Sequence, residues 1–362
     1  MTEAPARPAA VPTRRPERRR LRWRDLAELV RAPAALSVPG DTIAGAAASG
    51  GVRPATPALA AASICLYWGG MAANDWADRE LDARERPERP IPSGRVRPRE
   101  AALVAAGLTV AGVGLAGLAG GRRALAVAAP LAGAVWAYDL WAKNTAAGPA
   151  VMSVCRGLDV LLGASGGDMW RAVPSALTVA AHTYTVTALS RHEVLGAAPG
   201  LPLRTLAGTL GVAVSAVVPA RRAQPPRRVD PPRRVDPPRR VDPPRRAHPP
   251  KGAPPRTLSQ EMGAGRLAST RACGQAAIVD NFRTLATGVL AASYLGGYGR
   301  VQLEAVADPS GAGIRAAVKT GITDLPRLQG ALTAKAGSPA YGIGLSLIPL
   351  LARRLARKVS PT

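Results

Sequence analysis

Asp75, Asp78 and Asp82 follow one another at steps of three and four residues, in the segment Asn74-Asp75-Trp76-Ala77-Asp78-Arg79-Glu80-Leu81-Asp82. On a helix these three carboxylates share one face about 60° wide and repel each other. They sit at the C-terminal end of an uncharged run, where the helix dipole disfavours anions. Neither stability nor insertion explains that placement, and acids at membrane depth are functional candidates. A hard cation relieves the repulsion. Carboxylate oxygens suit Mg²⁺, which typically binds through one or two carboxylates together with substrate phosphates. Arg79, Arg84, Arg86, Arg89, Arg95, Arg97 and Arg99 follow closely, and guanidinium groups take phosphate in bidentate pairs. Spacing and chemistry together point to a diphosphate–Mg²⁺ site at the cytoplasmic face of a membrane. The bland alternative is a solvated loop of mixed charge; the strict spacing directly against an uncharged run argues against it.

The elements that must position these residues are apolar. The chain has 362 residues, 48 Lys+Arg against 24 Asp+Glu, and 47% hydrophobic residues. The mean hydropathy of +0.03 averages two kinds of segment. Residues 54–74, 101–121, 205–220, 284–299 and 336–352 carry no charge; 172–190 has only His182, 32–52 only Asp41, 124–142 only Asp139, and 144–167 only Arg156 and Asp159. A bilayer core needs about 20 apolar residues per helix. Their Ala/Gly-rich composition suits close helix approach. The expectation is an all-α, polytopic membrane helix bundle of about nine transmembrane helices. The basic N-terminus and the arginine-rich loop after the second span both belong in the cytoplasm, with two spans between them. The Asp-rich segment is then cytoplasmic, in a multi-pass cell-membrane protein. Topology beyond residue 200 stays open, because nine spans would put the basic tail outside. No cleavable leader is expected, since the Arg- and Pro-rich start has no early apolar core.

The charge divides the chain further. Residues 1–25 form a basic segment with eight arginines, 26–220 the first part of the transmembrane core, 221–275 a Pro/Arg-rich insert, and 276–362 the remaining helices and a basic tail. The insert reads PPRRVD three times, at Pro225–Asp230, Pro231–Asp236 and Pro237–Asp242. Paired prolines and this charge exclude a packed core. A tandem expansion in a loop explains it better than an anionic-lipid tether. A pI near 11.4 invites a nucleic-acid reading. No basic stretch is interleaved with aromatics and no nucleic-acid motif appears, so no nucleic-acid partner is expected. Three cysteines exclude a disulfide framework and a four-cysteine zinc site. No P-loop or dinucleotide fingerprint is present.

The segment Asn74-Asp75-x-x-Asp78-x-x-x-Asp82, followed by Arg89-Pro-Ile-Pro-Ser-Gly-Arg95, resembles the UbiA-type intramembrane prenyltransferases. Tyr138-Asp-Leu-Trp-Ala-Lys143 is similar to the family's Tyr-Ser-x-x-x-Lys. The resemblance covers residues 26–200; the last third matches only as hydrophobic helices. It implies nine transmembrane helices around a central cavity. It also implies Mg²⁺-dependent transfer of an isoprenyl group from its diphosphate to a lipophilic, often aromatic, acceptor. Carried over, Asn74, Asp75 and Asp78 hold Mg²⁺ on the diphosphate with Asp82 in support. Lys143 contacts the diphosphate, Arg89 and Arg95 steady the loop or the phosphates, and Tyr138 lines the cavity. The family's second Asp-rich motif, roughly Asp-x-x-Asp-x-x-Gly, is altered to Ser190-Arg191-His192-Glu193-Val194-Leu195-Gly196. Glu193 stands where the second acid and metal ligand belongs, Ser190 replaces the first, and Arg191 is gained. Direct phosphate contact by Arg191, a single Mg²⁺, and loss of the usual reaction all stay open. The alternative function is a non-catalytic protein of the same fold that binds or moves an isoprenoid or other lipid. An unrelated transporter would show internal inverted repeats, and none is visible.

Other residues read more plainly. His182 is expected as a hydrogen-bonded interior histidine, and Cys65 and Cys155 as packing residues. Arg156 and Asp159, three apart, are expected either to pair across one helical turn or to face the cavity, since intramembrane charges need a partner or water. Asp324 and Arg327 make 312–335 amphipathic, suited to an interface or a cavity wall.

Overall fold

The uncharged runs fold as helices. The computed structural model describes residues 22–218 and 277–348, and among these there is no strand. The PPRRVD repeats, Cys273 and the basic tail lie outside the described residues. A short helix α1 (Trp23–Leu29) and a 3₁₀ turn (Ala32–Ser37) lead into α2 (Pro39–Ala48). The expected span 32–52 is thus broken: Pro39 has no N–H to donate and opens a new helix at its first turn. Next come α3 (Thr56–Ala77) and α4 (Arg79–Glu85), hinged at Asp78.

Helix α5 (Pro98–Leu140) reverses at Gly121, whose φ of 63° and ψ of −153° suit only glycine. The two arms lie side by side: Trp136 Nε1 donates to Thr109 Oγ1 across the reversal at 3.1 Å. The expected spans 101–121 and 124–142 are these arms. A 3₁₀ turn (Ala142–Asn144) then leads to α6 (Gly148–Ala164), α7 (Met169–Ser190) and α8 (Gly200–Val217). After the insert come α9 (277–294), a π-helical turn (Leu295–Gly299) and α10 (Arg300–Ala307). Last are α11 (Gly311–Lys335) and α12 (Pro339–Ser346). Among the described residues, α5 and α8 contain stretches long and apolar enough to cross a membrane.

Close packing follows from small residues. A Cβ on Gly45 of α2 would lie 1.8 Å from the Val160 carbonyl oxygen of α6, and one on Gly163 of α6 would lie 2.0 Å from the Thr42 carbonyl oxygen. Glycine at both positions lets the two backbones touch. One apolar cluster joins α3, α5 and α6 through Leu59, Leu66, Leu131 and Leu162. Another joins α7, α8, α9 and α11 through Val179, Val212, Leu290 and Leu328.

Two expectations are corrected here. Arg156 and Asp159 do not pair with each other: Arg156 meets Asp41 at 2.8 Å and Asp159 accepts from Ser63 at 2.5 Å. Both turn to neighbouring helices, because those supply partners without strain along their own helix. Segment 312–335 is not an interfacial helix: α11 buries Ile314, Val318, Leu325, Leu328 and Leu332, and Arg327 neutralises buried Asp324 at 2.7 Å. His182 is the interior histidine expected, fully buried with Nδ1 2.8 Å from the Tyr294 hydroxyl.

Candidate active site

The Asp-rich segment spans the joint between two helices. Asn74 and Asp75 close α3, Asp78 is its C-cap, and Asp82 lies within α4. Asp75 and Asp82 are buried, and every carboxylate is met by a cation. Arg31 Nη2 lies 3.0 Å from Asp75 Oδ1. Arg89 Nη1 bridges Asp75 at 3.3 Å and Asp82 at 2.5 Å. Lys143 Nζ lies 2.7 Å from Asp78 Oδ1. Arginine and lysine thus offset the repulsion that the spacing creates. Arg89 and Lys143, expected from the resemblance at the loop or the phosphates, here form ion pairs with these acids.

Arg31 was not among the sequence candidates. Its backbone is left-handed, with φ of 48° and ψ of 50°, a conformation that non-glycine residues adopt at a cost of about 1–3 kcal/mol. A lone arginine directly before an uncharged run was the available signal. Asp139 was also missed; it read as the single charge of its run. It is buried, accepts from Asn74 Nδ2 at 3.2 Å and faces a cavity of about 100 Å³. Tyr138 lines the same cavity, with Tyr67, Gly70 and Met71 of α3 and Met152 and Cys155 of α6.

Arg95 lies apart. Its guanidinium holds Glu28 Oε1 and Oε2 at 2.8 and 2.5 Å, Asp25 at 3.0 Å and the Glu88 carbonyl at 2.7 Å. It clamps the 86–97 loop to α1, the loop-steadying role rather than phosphate contact. Its hydrogen bonds hold the Glu28 carboxyl below the ordinary 4.5. At the second motif, Ser190 Oγ bonds back to the Thr187 carbonyl at 2.9 Å. Arg191 Nη1 donates to the Thr145 carbonyl, tying the end of α7 to the loop after Lys143. Glu193 sits in the turn beyond α7, where Arg315 donates to its carbonyl at 2.6 Å. Burial raises the Glu193 carboxyl above its ordinary value, partly offset by Arg315.

The expected metal set of Asn74, Asp75, Asp78, Asp82 and Glu193 is not gathered. Among the described residues no three acidic, imidazole or thiol groups converge as a metal site. Asp82 turns to Arg89, and Glu193 sits beside α11. A smaller set fits a hard divalent ion. The contacts to Asp75 and Asp78 run through Oδ1 alone, so each retains an oxygen outside its ion pairs. Two carboxylates with substrate phosphates are a usual Mg²⁺ environment.

Cationic and acidic side chains thus gather beside Asn74, whose amide reaches Asp139 on the wall of a largely apolar pocket between helices. Residues 38–220 match the model of the UbiA prenyltransferase family. A digeranylgeranylglyceryl phosphate synthase of Methanopyrus kandleri is 42% identical over 132 residues, 36% of this chain and 47% of that protein. The protein of the same description from Halobacterium salinarum is 34% identical over 207 residues, 54% of this chain and 73% of that protein. A solved structure concerned with digeranylgeranylglyceryl phosphate synthase in membranes superposes with a TM-score of 0.55 at 14% identity, covering 86% of this chain and 98% of that one. The chain spans about half or less of the length of several of the curated relatives it matches. The chain belongs to the UbiA prenyltransferase family, and the solved structure shares its fold.

Proposed function

We propose that this protein is an integral membrane prenyltransferase that moves an isoprenyl group from an isoprenyl diphosphate to a lipophilic acceptor. The carrying observation is the meeting of Asp75, Asp78, Arg31, Arg89 and Lys143 beside Asn74, whose amide contacts a residue lining the pocket. The expected nine spans, the central cavity and the cytoplasmic site belong to this reading. Asn74, Asp75 and Asp78 would hold Mg²⁺ against the diphosphate. When bound, the ion supplies positive charge that offsets the charge gathering on the departing diphosphate.

Arg31, Arg89 and Lys143 serve the same end. In the free protein they neutralise carboxylates; a diphosphate shares them. Fixed cations in a water-poor site stabilise a leaving anion more than they stabilise the intact substrate. The carbon–oxygen bond at the isoprenyl C1 breaks with its electron pair on the diphosphate, the acceptor's electron pair closes on C1, and the acceptor's proton leaves with the released diphosphate. Tyr138, Tyr67 and Met71 line the apolar space beside that carbon and exclude water, which would otherwise capture it. Diphosphate release from geranylgeranyl diphosphate tests the reading: Asp75→Ala and Asp78→Ala abolish it while the protein still expresses and inserts. Wild-type rates in either variant contradict it.

The altered second motif favours a second reading, a protein of this fold that binds or moves an isoprenoid without transferring it. Ser190 bonds its own helix and offers no carboxylate. Such a protein binds the diphosphate with Mg²⁺ and releases none of it.

A further inference from the structure

The end of α7 carries the altered motif, and its acid is not gathered with the others. Ser190 Oγ bonds back to the Thr187 carbonyl at 2.9 Å. The turn that holds Glu193 is pinned to the start of α11: a Cβ on Gly311 would lie 2.8 Å from the Glu193 carbonyl oxygen and 2.7 Å from that of Val194. The Glu193 carboxylate is acted on by Arg315 of that same helix. Among the described residues no three acidic, imidazole or thiol groups converge as a metal site. A second divalent ion would therefore find no carboxylate pair here, and hard cations depend on such oxygens.

Arg191 stands there instead. Its Nη1 donates to the carbonyl of Thr145, two residues beyond Lys143. The same nitrogen lies 3.3 Å from the point a Cβ on Gly148 would occupy, and that point is 3.1 Å from the Ala142 carbonyl oxygen and 3.4 Å from that of Lys143. The guanidinium thus rests on the loop that presents Lys143, whose Nζ meets Asp78 at 2.7 Å. Arg191 and Asp78 both act electrostatically on the hydroxyl of Tyr138, which lines the pocket. Arg31, Arg89 and Lys143 are each committed to a carboxylate. Arg191 is exposed and, among the described residues, its hydrogen bond goes to a neutral carbonyl. The dipole of α7 favours a cation at its C-terminus. That accounts for a basic residue at this position but not for its placement on the loop of Lys143. A guanidinium with a free edge takes a phosphate through two parallel hydrogen bonds.

We propose that Arg191 binds the diphosphate directly, beside Lys143, and supplies the positive charge that a second metal ion would bring, so that the site takes one divalent ion, at Asp75 and Asp78. This names a further binding residue for the transfer proposed above and rests on that reading.

The test counts the ions. The purified full chain in detergent is given Mn²⁺ in place of Mg²⁺, with geranylgeranyl diphosphate and no acceptor, and bound Mn²⁺ and bound diphosphate are measured by equilibrium dialysis. Wild type holds one Mn²⁺ per diphosphate, a result that needs no variant to fold. Arg191→Gln keeps that ratio and weakens both geranylgeranyl diphosphate and inorganic diphosphate by about tenfold, the scale of one hydrogen bond to a charged group. Its binding of geranylgeraniol, which has no phosphate, and its unfolding temperature stay at wild-type values. Two Mn²⁺ per diphosphate in wild type, or wild-type diphosphate affinity in Arg191→Gln, overturns the proposal. So does an equal loss of geranylgeraniol binding, which would make Arg191 a tie for the loop alone. A wild type that binds no diphosphate with Mn²⁺ contradicts the transfer reading itself, and this proposal with it.

Discussion

Asp78 and Lys143 meet at 2.7 Å, from opposite ends of a stretch that includes both arms of α5. Their pairing gives the lysine a fixed place from which to reach a phosphate. Lys143→Ala lowers turnover by about 100- to 1,000-fold, the scale of losing one preorganised charge-stabilising group, and a kinetic comparison with wild type checks it. Arg89 differs, because it compensates two buried carboxylates at once. Arg89→Ala costs about 3–5 kcal/mol of stability, seen as a lower unfolding temperature in addition to lost activity. The Arg95–Glu28 clamp supplies a pH signature. Glu28 has a folded value below its unfolded one, so its stabilisation is present above about pH 4.5 and is lost as the pH falls through the folded value. Thermal unfolding between pH 6 and 3 shows that loss in the wild type, and Glu28→Gln removes its share. The acids of the first motif were legible because three- and four-residue steps put their chemistry within one stretch of chain. Arg31 and Asp139 were not, since their partners lie 44 and 65 residues away and only tertiary packing brings them together.

At the scale of elements, the position of the site depends on how closely α2, α3, α5 and α6 approach. Gly45→Val or Gly163→Val drives a side chain into the facing backbone and destabilises the protein by about 1–3 kcal/mol, measured as a fall in unfolding temperature. Gly121→Ala forces an L-residue into the reversal of α5 at a cost of about 1–3 kcal/mol. Long uncharged runs made α3, both arms of α5, α6, α7 and α8 legible from composition. Helix α11 was hidden, because Asp324, Arg327 and Gln329 gave it a polar pattern. Their burial is possible because Arg327 neutralises Asp324 and Gln329 is engaged by Asp41. The break in 32–52 was equally hidden, since Pro39 fits the first turn of a helix as readily as it disrupts one.

For the whole molecule, the proposed function requires the cluster around Asp75 and Asp78 to face the cytoplasm. Glu88, exposed in the loop that Arg95 clamps, reports that orientation. With Cys65, Cys155 and Cys273 replaced by serine, a Glu88→Cys variant reacts with an impermeant maleimide in inside-out vesicles and stays unmodified in intact cells. The family was legible in the first motif together with the Arg89–Arg95 and Tyr138–Lys143 segments, because each is a short stretch of chain. The central claim is that this motif still grips an isoprenyl diphosphate through a divalent ion. Binding of geranylgeranyl diphosphate to the purified chain, with and without Mg²⁺ and with and without Asp75→Asn, tests it most directly. The account predicts tight binding that disappears on chelation and in the variant. No binding by the wild type with Mg²⁺, across farnesyl, geranylgeranyl and longer diphosphates, contradicts it.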